Sequence, residues 1–169
     1  MTAHAQPAMR ILTVRQPWAW AIIAGHKPVE NRSWTTDYRG PLAIHAGRTP
    51  APEGWRELDQ LGMPHPPFRA VEHGCIIGVV TLTGHTTSHP SPWAHEGAWH
   101  WTLSRPRACD PLAWRGQVGL TVAPAWAAQH VAETAREVGY VGGDHDVHPP
   151  PAGVIDPNHP IAAGGEPIL

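Results

Sequence analysis

The sequence predicts an α+β fold, a small β-barrel of about six strands with flanking helices. Three observations predict it. Short apolar, β-branched runs recur along the chain, 20 prolines and 17 glycines punctuate its 169 residues, and the helical stretches are brief. One such stretch follows the first strand directly and another comes late. Elements this short and this rich in turns favour a barrel over a doubly wound sheet. The length corresponds to one domain, and 41% hydrophobic residues supply one sizeable core.

Residues 1–9 are expected to form a flexible arm. Arg10–Val14 (RILTV) is the first strand. Gln16-Pro17 then opens the helical stretch WAWAIIAG, with Pro17 at the favoured first position and Gly25 as its C-cap. Val29–Trp34 and Pro41–Ala46 read as strands around a turn at Asp37–Gly40. Glu53–Leu61 is a short polar helix, and Gly62–Pro67 is too rich in proline to be regular. Cys75–Thr83 (CIIGVVTLT) carries the strongest strand pattern. In Ala98–Leu103, Trp99, Trp101 and Leu103 alternate onto one face, which assigns both tryptophans to packing. Trp114–Val122 is a further strand, and Ala125–Val138 a helix with Val131, Ala135 and Val138 on one side. The domain therefore spans 10–140, and the Pro-, Gly- and His-rich residues 141–169 are expected to be a disordered tail.

Net charge is −2, unevenly spread. Residues 1–122 hold 11 Lys/Arg against 8 Asp/Glu, whereas 123–169 hold one Arg against 6 acids. A mildly basic body permits a polyanionic partner without the strong basicity of a non-specific binder. Eleven of the basic residues are arginine, and Lys27 is the one lysine. No apolar run approaches the roughly 20 residues of a membrane span, and MTAHAQPAMR lacks the order of a secretion signal, so a cytoplasmic protein is expected. Cys75 and Cys109 have no motif spacing, and Cys75 reads as a small buried hydrophobe. Thirteen histidines raise a metal hypothesis. Neither the His85, His89, His95, His100 series nor Asp144-His145-Asp146-x-His148 has a zinc spacing, so no metal site and no cofactor are expected.

Several motifs occur in order: Gln16-Pro17-Trp18, Gly25 with Lys27, Glu30 and Arg32, Tyr38-Arg39-Gly40, and Ile44-His45-Ala46. GCIIGVVTLTG, Ser91-Pro92-Trp93, Gly97 with Trp99 and Trp101, and Arg115-Gly116 before Gly119-Leu120 follow. In this the chain resembles the ASCH family over roughly residues 10–122. The resemblance implies a PUA-like pseudo-barrel whose cleft takes RNA, nucleotides or modified nucleosides. Some very small bacterial members of that family are amidohydrolases on acetylated cytidine, using a Lys, a Thr three residues later and a Glu. Lys27 matches that lysine, but the position three later is Glu30, so the hydroxyl nucleophile is missing. Glu96 is a candidate for the third residue.

The residues expected at a ligand are Gln16, Trp18, Lys27, Glu30, Arg32, Arg39, His45 and Trp93. Gln16 stands where strand passes to helix, near backbone N–H groups suited to an anion. Trp18 and Trp20 face about 200° apart, so one is packed and the other can line a cleft. On a strand Glu30 and Arg32 share a face. They can pair and leave Lys27 for a phosphate, or Glu30 can accept from a base while Arg32 takes a phosphate. Arg39 suits a rim contact, His45 a hydrogen bond to a ligand, and Trp93 on its Pro-stiffened loop a cap over a base. The leading reading is a module that holds RNA or a nucleotide. The alternatives are a nucleoside amidohydrolase or ribonuclease with Lys27 and Glu30 as catalytic residues, and a protein-interaction module that engages a partner through its acidic tail.

Overall fold

A computed structural model describes residues 7–138. The elements run β1 (Arg10–Val14), α1 (Trp18–Ile23), β2 (Val29–Arg32), β3 (Gly40–Ala46), α2 (Pro52–Gln60), a 3-10 turn (Phe68–Ala70), β4 (Cys75–Thr86), β5 (Trp99–Ala113), β6 (Leu120–Val122), α3 (Ala125–Thr134) and β7 (Arg136–Glu137). All seven strands belong to one sheet in the order β2-β5-β4-β3-β1-β6, with β7 added beside β5. β1 and β3 pair in parallel, and the other pairs are antiparallel. The sheet curls into a PUA-like half-barrel with three helices packed on it.

Strand alternation builds two apolar faces. Leu12 and Val14 of β1, Leu42 and Ile44 of β3, Val80 and Leu82 of β4 and Trp101 of β5 fill the concave side, with Ile22 and Ile23 of α1 against them. The indole of Trp101 meets that of Trp34 edge-on at 4.6 Å and donates to the Trp34 carbonyl, while Trp99 is half-buried on the same core. On the other side Ile11, Ala43, Ile76, Val79 and Cys109 pack under Val131 of α3. Each fully buried aliphatic side chain contributes about 2 kcal/mol. Cys75 and Cys109 are free and buried. Burial raises their thiols to about 12 and about 11, so neither ionises near neutral pH. A third cluster joins Trp20 and Ala21 of α1 to Val29, Leu58 of α2 and Trp93.

Strand β2 ends at Arg32 rather than Trp34 and β4 runs on to Thr86 rather than Thr83, and three further elements depart more from the sequence expectation. β5 does not stop at Leu103 but continues through Arg105-Pro106 to Ala113. A register shift against β4 between Val79 and Thr81 absorbs the proline as a bulge. The strand expected over Trp114–Val122 shrinks to Leu120–Val122, because Trp114–Gly119 is a loop that folds back over β1 and β3. α3 ends at Thr134 rather than Val138, and Arg136 and Glu137 turn back to pair with Ala108 and Arg107. Residues 1–6 of the expected arm and all of 141–169 lie outside the described residues.

The end strands of the curled sheet approach each other along a seam. β6 covers only Arg10–Leu12 of β1, so the edge at Thr13 has no strand beside it. Arg32, on the outermost strand β2, donates from Nη2 to the Thr13 carbonyl at 2.8 Å. One guanidinium thus links the two ends where no backbone ladder does.

Candidate functional site

Lys27, Glu30 and Arg32 come together at this seam. Lys27 leaves the turn after α1, and its ammonium donates to Glu30 Oε2 at 2.7 Å and to the Val29 carbonyl at 2.6 Å. Glu30 Oε1 meets Arg32 Nη2 at 3.2 Å. The carboxylate therefore sits between two cations, each taking one oxygen. Lys27 is 2% exposed and Glu30 7% exposed, while the Arg32 side chain keeps 22% of its surface in solvent. Glu30 and Arg32 share a face of β2, as alternation requires, but Lys27 is engaged by the same carboxylate rather than left apart. Two cations against one carboxylate leave this buried group with one positive charge in excess, and a low-dielectric setting makes that excess attractive to an anion.

Trp93 lies beside the ammonium, with its ring centroid 6.0 Å from Lys27 Nζ. It is 1% exposed and packed among Trp20, Val29 and Leu58, so its ring offers no open face for stacking. Asn31 holds the loop that carries it. Its amide nitrogen donates to the Trp93 carbonyl, and its oxygen accepts from the His95 N–H. Arg32 Nε and Trp93 Nε1 are buried N–H groups with no acceptor among the described residues.

Gln16 and the first helix are committed to structure. The Gln16 amide oxygen accepts from the Trp20 N–H at 2.9 Å, and its nitrogen donates to the Glu72 carbonyl at 2.8 Å. The Ala19 and Ala21 N–H groups bond to the Arg15 and Pro17 carbonyls. Three amides at the start of this six-residue helix are thus already satisfied, which leaves little there for an anion. Trp18 is half-buried, and its indole donates to Glu57 Oε2 at 2.8 Å, tying α1 to α2. Trp20 is the packed member of that pair.

His45 and Arg39 stand apart from the seam group. His45 lies between Ile44 and Ala46, whose side chains fill the concave core, so it faces the opposite side of β3. Its Nε2 reaches the Trp114 carbonyl at 3.1 Å, and its Nδ1 reaches the Thr13 hydroxyl at 3.1 Å. A carbonyl can only accept, so Nε2 carries the proton and Nδ1 accepts from the hydroxyl. Burial lowers the His45 pKa, and the Arg48 charge adds to this against the opposing bond to Trp114. Arg39 is exposed at the turn before β3, where it donates to the Thr36 and Tyr38 carbonyls. Glu96 is exposed on the loop before β5.

Four histidines considered for a metal each have another partner. His85 packs edge-on against Trp99, His89 accepts from the Ser91 N–H, His95 meets Glu57 at 2.8 Å and His100 bonds the His95 carbonyl. Among the described residues no three His, Cys, Asp or Glu side chains are grouped to hold a metal. The Asp144–His148 cluster lies outside them. No helix among the described residues is long and apolar enough to cross a membrane.

The family model of the ASCH domain matches residues 12–111, more than half of the chain. The chain belongs to the ASCH domain family. Within that family it is similar to Activating signal cointegrator 1 of Mus musculus and of Homo sapiens, each 36% identical over 80 residues. Those matches cover 42% of this chain but only 13% of either relative, so the chain corresponds to a small part of those proteins. Crystal structures of two variant ASCH proteins from Zymomonas mobilis superpose with TM-scores of 0.51 and 0.50 at 13% and 14% identity. They cover 76% and 78% of this chain and 99% of each of those chains. At that identity the likeness speaks for the fold. Of the residues that shape the seam, Asn31 and the Thr13 carbonyl carried no expectation. A backbone acceptor leaves no trace in a sequence, and an asparagine on a strand is a weak one.

Proposed function

We propose that this ASCH domain binds RNA or a nucleotide, with a phosphate or an anionic edge of the ligand drawn to Arg32 and Lys27 at the seam. The observation that carries the reading is the excess positive charge of the Lys27–Glu30–Arg32 chain, held next to the solvent-reaching guanidinium of Arg32. An ammonium uses two of its three protons on Val29 and Glu30, and Arg32 Nε has no acceptor among the described residues. A ligand rich in acceptor oxygens answers both.

The hydrolytic alternatives find less support. Both oxygens of Glu30 face cations, which leaves neither open to collect a proton from water. Both nitrogens of His45 are occupied on the other face of the sheet. The test is a titration of short single-stranded RNAs and a nucleotide panel that includes acetylated cytidine, against the wild type and Lys27→Met. Binding tighter than millimolar is expected, weakening with salt by about 0.7 log units per tenfold salt for each phosphate contacted. Lys27→Met is expected to lose about tenfold or more, as for removal of a charge-assisted hydrogen bond. No binding above the millimolar level ends the reading, and acetate released from acetylated cytidine moves it to the hydrolase.

A further inference from the structure

A second basic surface lies away from the seam. The turn before β3, the middle of β4, the bulge of β5 and the short β7 enclose a trough of about 1220 Å³. Arg39, Arg105 and Arg107 line it, and Glu137 is its one carboxylate among the described residues, so its lining carries two positive charges in excess. Lys27, Glu30 and Arg32 are not part of it. Arg105 and Arg107 are exposed, and among the described residues neither guanidinium has a hydrogen bond or ion pair. Glu137 stands opposite Arg107 in the β5–β7 register, yet forms no ion pair with it.

The backbone adds an independent sign. Arg105 has φ of 51°, and it is the single non-glycine residue with positive φ among the described residues. It occupies the β5 bulge, where Arg105 and Pro106 together stand opposite Val80 alone, one extra residue between the partners of Thr81 and Val79. A left-handed bulge position is ordinarily glycine's, because a side chain there is strained. Such strain persists where the side chain is needed, and it clusters at binding sites. Here the strained residue presents a guanidinium to a basic trough.

We propose that this trough holds the phosphodiester backbone of a single-stranded RNA. The proposal rests on the nucleic-acid reading of the seam and extends it to a second, sequence-independent contact. Guanidinium groups suit phosphate through paired N–H donors. The hydroxyl-bearing Thr81 and the apolar ring of Pro106 line the same trough and suit ribose.

The test uses the full chain with two probes, a single-stranded RNA 12-mer and a mononucleotide, read by NMR of the arginine Nε–H and tryptophan indole signals and by affinity. The expected result is that the 12-mer shifts the Arg105 and Arg107 signals and the mononucleotide does not. Arg107→Gln and Arg105→Gly are then each expected to weaken the 12-mer about three- to tenfold and to lower its salt slope by roughly 0.7. Mononucleotide affinity stays unchanged. Arg105→Gly is also expected to raise the melting temperature, because glycine relieves the positive φ; a loss of affinity with a gain in stability cannot come from misfolding. If the 12-mer moves the Arg32 and Trp93 signals but not those of the trough, the trough proposal is overturned and the seam reading stands. Shifts confined to the trough support the trough and overturn the seam reading, and no shift at either overturns both. Trough signals that move on removal of residues 139–169, which hold four acids and no Lys or Arg, but not on adding RNA, also overturn it.

Discussion

Two polar groups lie beside β1, and they are built on opposite terms. On one face the Thr13 hydroxyl, the His45 imidazole and the Trp114 carbonyl form a neutral chain. Each donor in it meets one acceptor, and its job is to pin the Trp114–Gly119 loop to the sheet. On the other face Lys27, Glu30 and Arg32 form an ionic chain with more cation than anion. A buried network whose charges and hydrogen bonds all cancel has nothing left for a ligand. One that retains charge and spare donors does, at a cost in stability. Equal burial therefore does not mean equal role, and the balance of charge separates the two.

The largest effect should come from removing the anion that the seam depends on. Glu30→Gln keeps the shape of the side chain but leaves two cations facing each other around a neutral amide. Breaking a buried pair from one side costs about 3–5 kcal/mol. Because Arg32 keeps part of its surface in solvent, the expected loss is near the lower figure. Urea unfolding reads it directly. Lys27→Met, by contrast, leaves Glu30 paired with Arg32 and no net charge, so its stability should stay close to wild type while ligand affinity falls. If Glu30→Gln loses under about 1 kcal/mol, the seam charges are effectively hydrated, and the contrast between the two faces disappears.

The neutral pin can be broken from the loop side. A Cβ added at Gly116 would sit 2.9 Å from His45 Cε1 and 3.3 Å from the Thr13 hydroxyl. His45 cannot swing away, because both of its nitrogens are held. Gly116→Ala should therefore cost about 1–3 kcal/mol, as overpacking does, and leave ligand affinity at the seam unchanged. Gly97→Ala is not a control, since its φ of 78° is strained for any side chain. A melting temperature for Gly116→Ala equal to that of the wild type would show that the loop is not fixed at this point.

These two groups also show where the sequence could be read. The grouping of Lys27, Glu30 and Arg32 was visible because strand alternation puts positions 30 and 32 on one face and the preceding turn brings 27 near. That one carboxylate serves both cations depends on side-chain reach, which spacing does not encode. The barrel core was visible in the alternation of Trp99, Trp101 and Leu103. The length of β5 was not, because Arg105-Pro106 has the pattern of a strand end and only pairing with β4 turns it into a bulge. Gln16 was legible as the residue at the strand-to-helix junction. Its choice between a ligand and the Trp20 N–H is decided by the 16-to-20 separation in the folded turn. Trp93 looked like a loop aromatic free to stack, and tertiary packing against Trp20 and Leu58 encloses it.

The subtlest difference between the two faces is their response to acid. His45 is neutral in the fold, with its pKa lowered from 6.5 chiefly by burial. In the unfolded chain it titrates at about 6.5. Below that pH the unfolded state binds a proton that the folded state refuses, so stability rises with pH across the interval between the two values. The contribution is fully present above about pH 6.5 and is lost as pH falls through the folded pKa. His26, also lowered by burial, acts with the same sign. His65 acts against it, because its bonds to Asp59 and Pro66 outweigh burial and raise its pKa. Urea unfolding of the wild type and of His45→Gln at several pH values between about 5 and 8 isolates the term. The glutamine amide can still offer a donor to Trp114 and an acceptor to Thr13, but it cannot titrate. The variant should therefore show a shallower loss of stability on acidification, by up to one proton in the linkage slope. Parallel curves for the two proteins would mean that His45 takes up its proton alike in the folded and unfolded chains, so that burial at the pin does not hold it neutral.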